Sequence, residues 1–246
     1  MGYGLLLSGE KELDFMIRGL FKYSFFGHEV WITTSHVCFL IIIFILIGFA
    51  IAANRIMMHA KEVPTGFQNV VELIVEKLDG MVKEIMGKSA SKFRNYIGTV
   101  FIFILVCNFS GLFGLRPPTA DYGVTLPLGL ITFTMIHFLT IKNSSGLKAM
   151  WIDKCSPLPP WLPLWLPINL ISDIAVPISL SLRLFANVLS GLVMMTLIYG
   201  LMAKVAIVWP AFLHLYLDIF SGAIQTYVFC MLTMTYLANA IGDENT

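Results

Sequence analysis

Charged residues are scarce in this chain of 246 residues, at 13% of the total, where a soluble domain carries about a quarter. Hydrophobic residues make up 57%, and the mean hydropathy is +0.81. This balance excludes a soluble globular fold and indicates an integral membrane protein. The net charge of +1 gives no reason to expect a nucleic-acid partner.

Motifs of covalent catalysis and cofactor binding are missing as well. The chain has no Gly-rich phosphate loop, no H-E-x-x-H and no nucleophile elbow, so we do not expect an enzyme acting alone. The histidines lack the spacing of ligands, so neither a metal nor another cofactor is predicted. Three cysteines lie in apolar runs and are predicted to be buried hydrophobes: Cys38, Cys107 and Cys230. No cleaved signal peptide is expected.

Long apolar runs predict an all-α integral membrane fold in a single domain, 1–246. We expect about five membrane helices, the last two long and tilted as a hairpin, plus an amphipathic surface helix. The predicted spans are 37–53, 97–115, 126–141, 162–205 and 211–241. The N-terminal segment 1–36, the polar segment 54–98 and the loop 142–160 are expected outside the membrane core.

The polar segment 54–98 contains the amphipathic helix. Its apolar residues recur at helical spacing, at positions 67, 70, 71, 74, 78, 81, 82 and 85. Such a helix lies on the membrane surface or docks against a partner helix, and both interpretations can hold together.

The stretch 162–205 is too long for a simple crossing. As one helix it would measure about 66 Å, against a hydrocarbon core of about 30 Å. Two spans with a turn near Ser190-Gly191 would also fit, but no charged or Pro/Gly-rich connector is present. We therefore expect one long tilted helix.

Lys and Arg residues predict the orientation. The segments 54–98 and 142–160 lie on the same side of a five-span protein, and together they carry most of the positive charges. By the positive-inside rule the protein is a multi-pass plasma-membrane protein with its N-terminus outside and its C-terminus in the cytoplasm.

Polar residues form stripes in the last two apolar runs. In 162–205 most fall on or near one helical face, at positions 169, 173, 183, 187 and 190. The last run repeats the pattern with His214, Asp218, Ser221 and Gln225. Facing each other, the two stripes would form a hydrated path inside an apolar wall.

Arg183 stands near the centre of 162–205, where a charge costs on the order of 3 kcal/mol and needs a partner or water. One interpretation is a salt bridge to Asp173 or Asp218 that joins two helices. We favour a path or gate for an ion, because the stripes hold more polar residues than one bridge requires. A voltage sensor would need several arginines, and a secondary transporter would show inverted repeats, which we do not find.

The same residues resemble a known family. LSLRLFANVLSG (180–191) is similar to the helix of subunit a of bacterial-type F-type ATP synthases that carries the family's essential arginine. The likeness runs in the family's order from about residue 30 to the end. It includes PTGFQNVVELIVEKLDGMV (64–82), NFSGLFG (108–114), PTADYGVTLPL (118–128), PINLIS (167–172) and IQTYVFCMLTMTYLA (224–238).

The resemblance implies a stator subunit of a rotary motor, with the c-ring, the peripheral-stalk b subunits and the lipid bilayer as its partners. In the family, two offset half-channels pass H⁺ to and from the c-ring carboxylates. The arginine prevents a leak between them and couples ion flow to rotation. Some members use Na⁺, so a sodium-coupled version stays open. Arg183 suits the role because a guanidinium stays charged and offers several donors to a carboxylate.

Carried over by position, the resemblance implies further ion-translocation residues: Asn187, Gln225, Asp173, Asn108 and Asp121. Asp173 matches an acidic position of the cytoplasmic half-channel, and Asn108 and Asp121 match polar positions towards the outer side. Many bacterial members carry a Glu where this chain has Leu192, and many of those a His where it has Asp218. We hypothesise that Asp218 supplies the missing carboxylate and that His214, one turn away, tunes its proton affinity.

Overall fold

The computed structural model describes residues 19–25, 28–60, 66–113, 115–143, 165–201 and 209–241. Five helices in this part are long and apolar enough to cross a membrane, which confirms the predicted all-α membrane fold. The helices are α1 Thr34–Met57, α2 Phe67–Met86, α3 Ala90–Phe109, α4 Tyr122–Asn143, α5 Trp165–Leu201, α6 Trp209–His214 and α7 Gly222–Ile241. A π-helical segment, Leu215–Ser221, connects α6 to α7, and we call 209–241 the last span.

A short hairpin precedes the first span, which the hydropathy pattern did not reveal. Its strands are β1 Gly19–Phe25 and β2 His28–Thr33, paired antiparallel with Phe25 opposite His28. The pairing satisfies backbone N–H and C=O groups that would otherwise need water. This end of the bundle, which includes the start of α1, is called the hairpin end below.

The amphipathic helix α2 is bounded by two glycines with positive φ, Gly66 at 59° and Gly87 at 51°. Residues with a Cβ rarely adopt that conformation, so both positions end the helix sharply. Val82 and Met86 in its second half are buried against the bundle, while Phe67 and Val70 in its first half stay exposed. The end of the bundle next to α2 is called the α2 end.

A small charged cluster ties α2 to α3. Asp79 accepts a hydrogen bond from Arg94 at 3.3 Å, and Lys83 Nζ lies 2.6 Å from its other oxygen. Lys83, and then Arg94, hold the pKa of Asp79 below its usual value, because both stabilise the ionised carboxylate.

The core lies where α3, α5 and α7 meet. Its fully buried residues include Ile97, Ile104, Leu184, Phe229 and Met234. In contrast, the buried residues of α1 all lie near its start, and most of that helix is exposed. Several hydroxyl groups donate to the carbonyl four residues earlier, for example Thr132 to Leu128 and Thr226 to Gly222, which satisfies them inside an apolar bundle.

The helix α5 is continuous over 37 residues, so the single long helix is confirmed and the turn near Ser190-Gly191 is not formed. At about 56 Å it must tilt or extend beyond a hydrocarbon core of about 30 Å. It runs antiparallel to α4, since Tyr122 meets Phe185 near the hairpin end and His137 meets Asp173 near the α2 end.

The close approach of α4 and α5 depends on Gly129. A Cβ at this position would lie 2.7 Å from the carbonyl oxygen of Pro177, closer than atoms can pack. Small residues at such crossings are typical of membrane helices, whose association relies on van der Waals contact.

Candidate functional site

Arg183 is the middle residue of α5 and is exposed on the surface of this chain. Its neighbours on that face are mainly apolar, and together they line an open groove: Ile171, Ile174, Ala175, Ile178, Ser179 and Leu182. An exposed arginine among apolar residues at mid-membrane depth is costly in lipid. A partner or water must therefore cover this face.

The salt bridge considered from the sequence is not formed. Within the part of the chain that the structure describes, Arg183 makes no ion pair and no hydrogen bond. Each candidate acid lies against a histidine instead, Asp173 against His137 and Asp218 against His214. Arg183 therefore forms an ion pair with neither of the two candidate acids.

A cavity of about 210 Å³ lies between α3, α5 and the last span, towards the hairpin end. The residues around it that bear on function are Asn108, Asn187, Leu192, Tyr199, His214 and Asp218. The cavity therefore brings together four of the predicted site residues. Leu192, the position at which many members of the resembled family carry a Glu, lines it as well. Asp218 lies against the very cavity that Leu192 lines.

The Asp218 carboxylate lies between His214 and Gly111. His214 Nδ1 lies 2.9 Å from its Oδ2, and Gly111 leaves room on the other side, because a Cβ there would lie 3.2 Å from the same oxygen. Asp218 belongs to the π-helical segment, a form that often occurs at functional sites. The spacing of four residues predicted that His214 and Asp218 would meet, and the structure places them in contact.

Two asparagines of the predicted site form links between helices. Asn187 and Ser221 exchange hydrogen bonds of 3.2 and 3.3 Å between α5 and the last span. Asn108 is buried, donates to the Gly222 carbonyl and to Thr226 Oγ1 at 3.1 Å each, and accepts from Thr119 at 3.0 Å. The predicted facing stripes thus meet at Asn187, whereas Arg183 lies outside their contact.

Asp121 lies apart from the other predicted residues. It precedes α4, and its Oδ1 accepts a hydrogen bond of 3.0 Å from the Gly123 N–H, the geometry of a helix N-cap. It lines a second cavity of about 410 Å³ between α1, α3 and α4, together with Ser35 and His36.

Gln225 is buried in α7, and its Nε2 has no hydrogen-bond partner among the described residues. A buried donor without a partner is costly, so a group outside the described part or in a partner is expected to satisfy it.

Asp173 meets a residue that sequence reasoning did not place at the site. His137 Nε2 of α4 lies 3.6 Å from Asp173 Oδ2. No sequence signal connects these residues, because they belong to different helices and their contact depends on how α4 and α5 pack. No group of three or more His, Cys, Asp or Glu side chains in the described ranges is arranged to hold a metal ion.

Residues 36–238 match the family of the ATP synthase A chain. The chain belongs to the ATP synthase subunit a family. It is similar to the sodium-ion-specific ATP synthase subunit a of Propionigenium modestum, with 33% identity over 89% of this chain and 76% of the relative. It is also similar to ATP synthase subunit a of Moorella thermoacetica, with 32% identity over 82% of this chain and 87% of the relative.

A third relative, ATP synthase subunit a 2 of Syntrophotalea carbinolica, is 33% identical over 97% of this chain and 96% of its own length. The resemblance stated from the sequence is therefore confirmed. As a member of the subunit a family, the chain is a multi-pass, ion-translocating membrane subunit of an ATP synthase complex and is not catalytic alone.

Proposed function

We propose that this subunit is the stator of a rotary ATP synthase, which passes H⁺ to and from the carboxylates of a c-ring through two offset half-channels. The observation that carries the proposal is Arg183, exposed at the middle of α5 on a mainly apolar face. A partner with a carboxylate at mid-membrane depth would both cover that face and neutralise the charge. A ring of c subunits, each with one such carboxylate, fits the requirement.

The outer half-channel is the cavity bounded by Asn187, His214 and Asp218. Its polar groups accumulate near the hairpin end, which the positive-inside rule places outside the membrane. Asp218 there supplies the carboxylate that Leu192 lacks, and His214 exchanges protons with it through a contact of 2.9 Å. Gln225 and Asn108 complete this side of the path, and Asp121 lies at its outer edge.

The inner half-channel opens near the α2 end, beside the groove on the exposed face of α5. Asp173 lies ten residues before Arg183, about 15 Å along the helix axis, and its side chain is only partly buried. That separation lets Asp173 receive ions from the cytoplasmic side without direct contact with Asp218. Arg183 stands between the two paths, so an ion can pass only by way of the rotating ring.

Arginine suits this barrier better than lysine. A guanidinium keeps its proton at any physiological pH and presents several donors to a carboxylate, whereas a buried amine can lose its charge.

The exposed first half of α2 and the exposed length of α1 offer surfaces for the peripheral-stalk b subunits. With five spans, the N-terminus lies outside and the C-terminus in the cytoplasm.

The test is gradient-driven ATP synthesis in vesicles that carry the whole complex, with Arg183→Ala beside the wild type. We expect synthesis to fall to background and a passive ion leak to appear, because nothing then separates the half-channels. Ser179→Ala, a change on the same exposed face, is the matched control and should retain synthesis. Retained synthesis in an assembled Arg183→Ala complex would reduce the arginine to a structural role.

Sodium coupling is the second candidate, because the relative from Propionigenium modestum is named as sodium ion specific. The same vesicles distinguish the two ions. Synthesis driven by a proton gradient in sodium-free buffer supports H⁺, whereas an absolute requirement for a Na⁺ gradient would support the alternative.

A further inference from the structure

We propose that the cavity between α1, α3 and α4 binds one phospholipid from the leaflet at the hairpin end, with a zwitterionic headgroup that bears a primary ammonium. This site is separate from the cavity beside Asp218, since the two share no lining residue. The inference goes beyond the proposed function and does not depend on it.

The cavity has an apolar body and a polar end. It measures about 410 Å³, and its apolar lining residues are Phe39, Phe103, Val124, Pro127, Leu128 and Ile131. Its polar side chains, Ser35, His36 and Asp121, belong to the start of α1 or directly precede α4. Polar groups at one end of an apolar cavity fix the orientation of an amphipathic ligand.

The apolar body has the length of one bilayer leaflet. Ile131 lies ten residues after Asp121, which corresponds to about 15 Å along α4, and half of a hydrocarbon core of about 30 Å is the same distance. Phe39 packs edge to face on Phe103, with ring centroids 6.0 Å apart, so these rings form an apolar wall between α1 and α3. Pro127 and Ile131 are exposed, so an acyl chain can enter from the surface of the bundle.

The polar end contains hydrogen-bonding groups that have no partner within the described residues. Ser35 is 1% exposed, and its hydroxyl makes no hydrogen bond there, which is costly for a buried group. Asp121 accepts from the Gly123 N–H through Oδ1, and its Oδ2 is unpaired in the same part of the chain. A headgroup at this end of the cavity would supply partners for both side chains.

The charges at the polar end suit a zwitterion. The first turn of α1 holds no acidic residue and receives no side-chain cap from Thr33, whose Oγ1 lies 2.6 Å from His36 Nδ1 instead. The first N–H groups of a helix attract a phosphate, whereas the Asp121 carboxylate attracts an ammonium. Phosphate and ammonium together are the two charges of a phosphatidylethanolamine headgroup.

Other small ligands match less of the cavity. A free phosphate ion would leave the apolar body empty. A fatty acid or a phosphatidylglycerol would fill that body, but neither brings a positive charge to Asp121. The combination of an acyl chain, a phosphate and an ammonium therefore identifies the ligand class.

The test is photolabelling of the whole complex in phosphatidylglycerol vesicles that contain a small fraction of phosphatidylethanolamine with a diazirine in its acyl chain. We expect label on peptides that contain Phe39 or Phe103, and unlabelled phosphatidylethanolamine should suppress it. The same fraction of a diazirine phosphatidylglycerol should label these peptides about tenfold less, because it loses a charge-assisted contact with Asp121. Equal labelling by the two probes would overturn the assignment of the headgroup.

A matched pair of variants tests whether the lipid enters this cavity. Ile131→Trp enlarges an exposed residue of its lining and should reduce the label on the Phe39 and Phe103 peptides by roughly tenfold. Leu130→Trp makes the same kind of change at the neighbouring exposed position, which does not line the cavity, and should leave the label at the wild-type level.

Ser35→Ala distinguishes a bound headgroup from an empty cavity. If the hydroxyl bonds to the headgroup, its loss should weaken labelling by about fivefold, the value of one hydrogen bond. In an empty cavity the change only removes an unpaired buried group, so labelling would not respond. Unchanged labelling in assembled Ser35→Ala and Ile131→Trp complexes would overturn the proposal, as would a wild-type complex that takes up no label because a peripheral-stalk helix covers the cavity. The readout is binding, so it is independent of the result for Arg183→Ala.

Discussion

At the scale of single residues, Asp218 shows how a carboxylate is accommodated within an apolar bundle. His214 Nδ1 lies 2.9 Å from its Oδ2, and Gly111 leaves space that a side chain would fill. Asp218 belongs to the π-helical segment and lines the cavity. The carboxylate therefore lies at the cavity with a histidine within hydrogen-bond distance.

We expect Asp218→Asn to slow ion uptake from the outer side, because the amide can form hydrogen bonds but cannot carry a proton. ATP synthesis driven from that side should fall by at least about tenfold, measured in vesicles that contain the assembled complex. Tyr216→Phe, at an exposed position of the same π-helical segment, should leave the rate near wild type. Unchanged coupled transport in Asp218→Asn would end the proposal that this carboxylate serves the outer half-channel.

At the scale of helices, the contact between α4 and α5 sets the register on which the meeting of His137 and Asp173 depends. Gly129 lets the helices approach until the Pro177 carbonyl is 2.7 Å from where a Cβ would stand. His137 and Asp173 belong to the same antiparallel contact, nearer the α2 end. A change in helix separation at Gly129 would therefore alter both the packing of α4 on α5 and the contact between His137 and Asp173.

We expect Gly129→Ala to destabilise the packing of α4 on α5 by about 1–3 kcal/mol, the range for overpacking a close contact. The measurement is the fraction of the subunit that remains in the purified complex after heating. Gly48→Ala is the matched control, because a Cβ there meets nothing within 4 Å. Equal heat resistance of the two variants would contradict the role assigned to Gly129.

At the scale of the whole molecule, five helices of the described part are long and apolar enough to cross a membrane, and the proposed orientation rests on that odd number. The same topology separates the cavity at the hairpin end from Asp173 near the α2 end, with Arg183 between them.

We predict that a cysteine introduced at Glu84 in α2 reacts with an impermeant thiol reagent from the cytoplasmic side, and one at Gly123 from the outside. Both positions are exposed, and the native cysteines would first be replaced by serine. Labelling in right-side-out and in inverted vesicles shows directly which side of the membrane each introduced cysteine faces. The reverse pattern would overturn the proposed orientation and exchange the two half-channels.

Much of the architecture could be predicted from the sequence. The bilayer admits a polypeptide backbone only where its polar groups are paired internally, so apolar runs of sufficient length had to be helices. The four-residue spacing of His214 and Asp218 predicted their contact, because side chains four residues apart lie on the same face of a helix. The hairpin β1–β2 could not be found in this way, because its strands carry no distinctive hydropathy pattern.

The sequence by itself therefore determined the five spans, the continuous α5 and the placement of Arg183 at its centre. Only the tertiary structure decided that Arg183 faces outwards, that Asn108 is bonded to Gly222, Thr226 and Thr119, and that His137 meets Asp173. The physical reason is that the rotation and register of each helix are set by close contacts with its neighbours. Helical periodicity within one segment contains no information about those contacts.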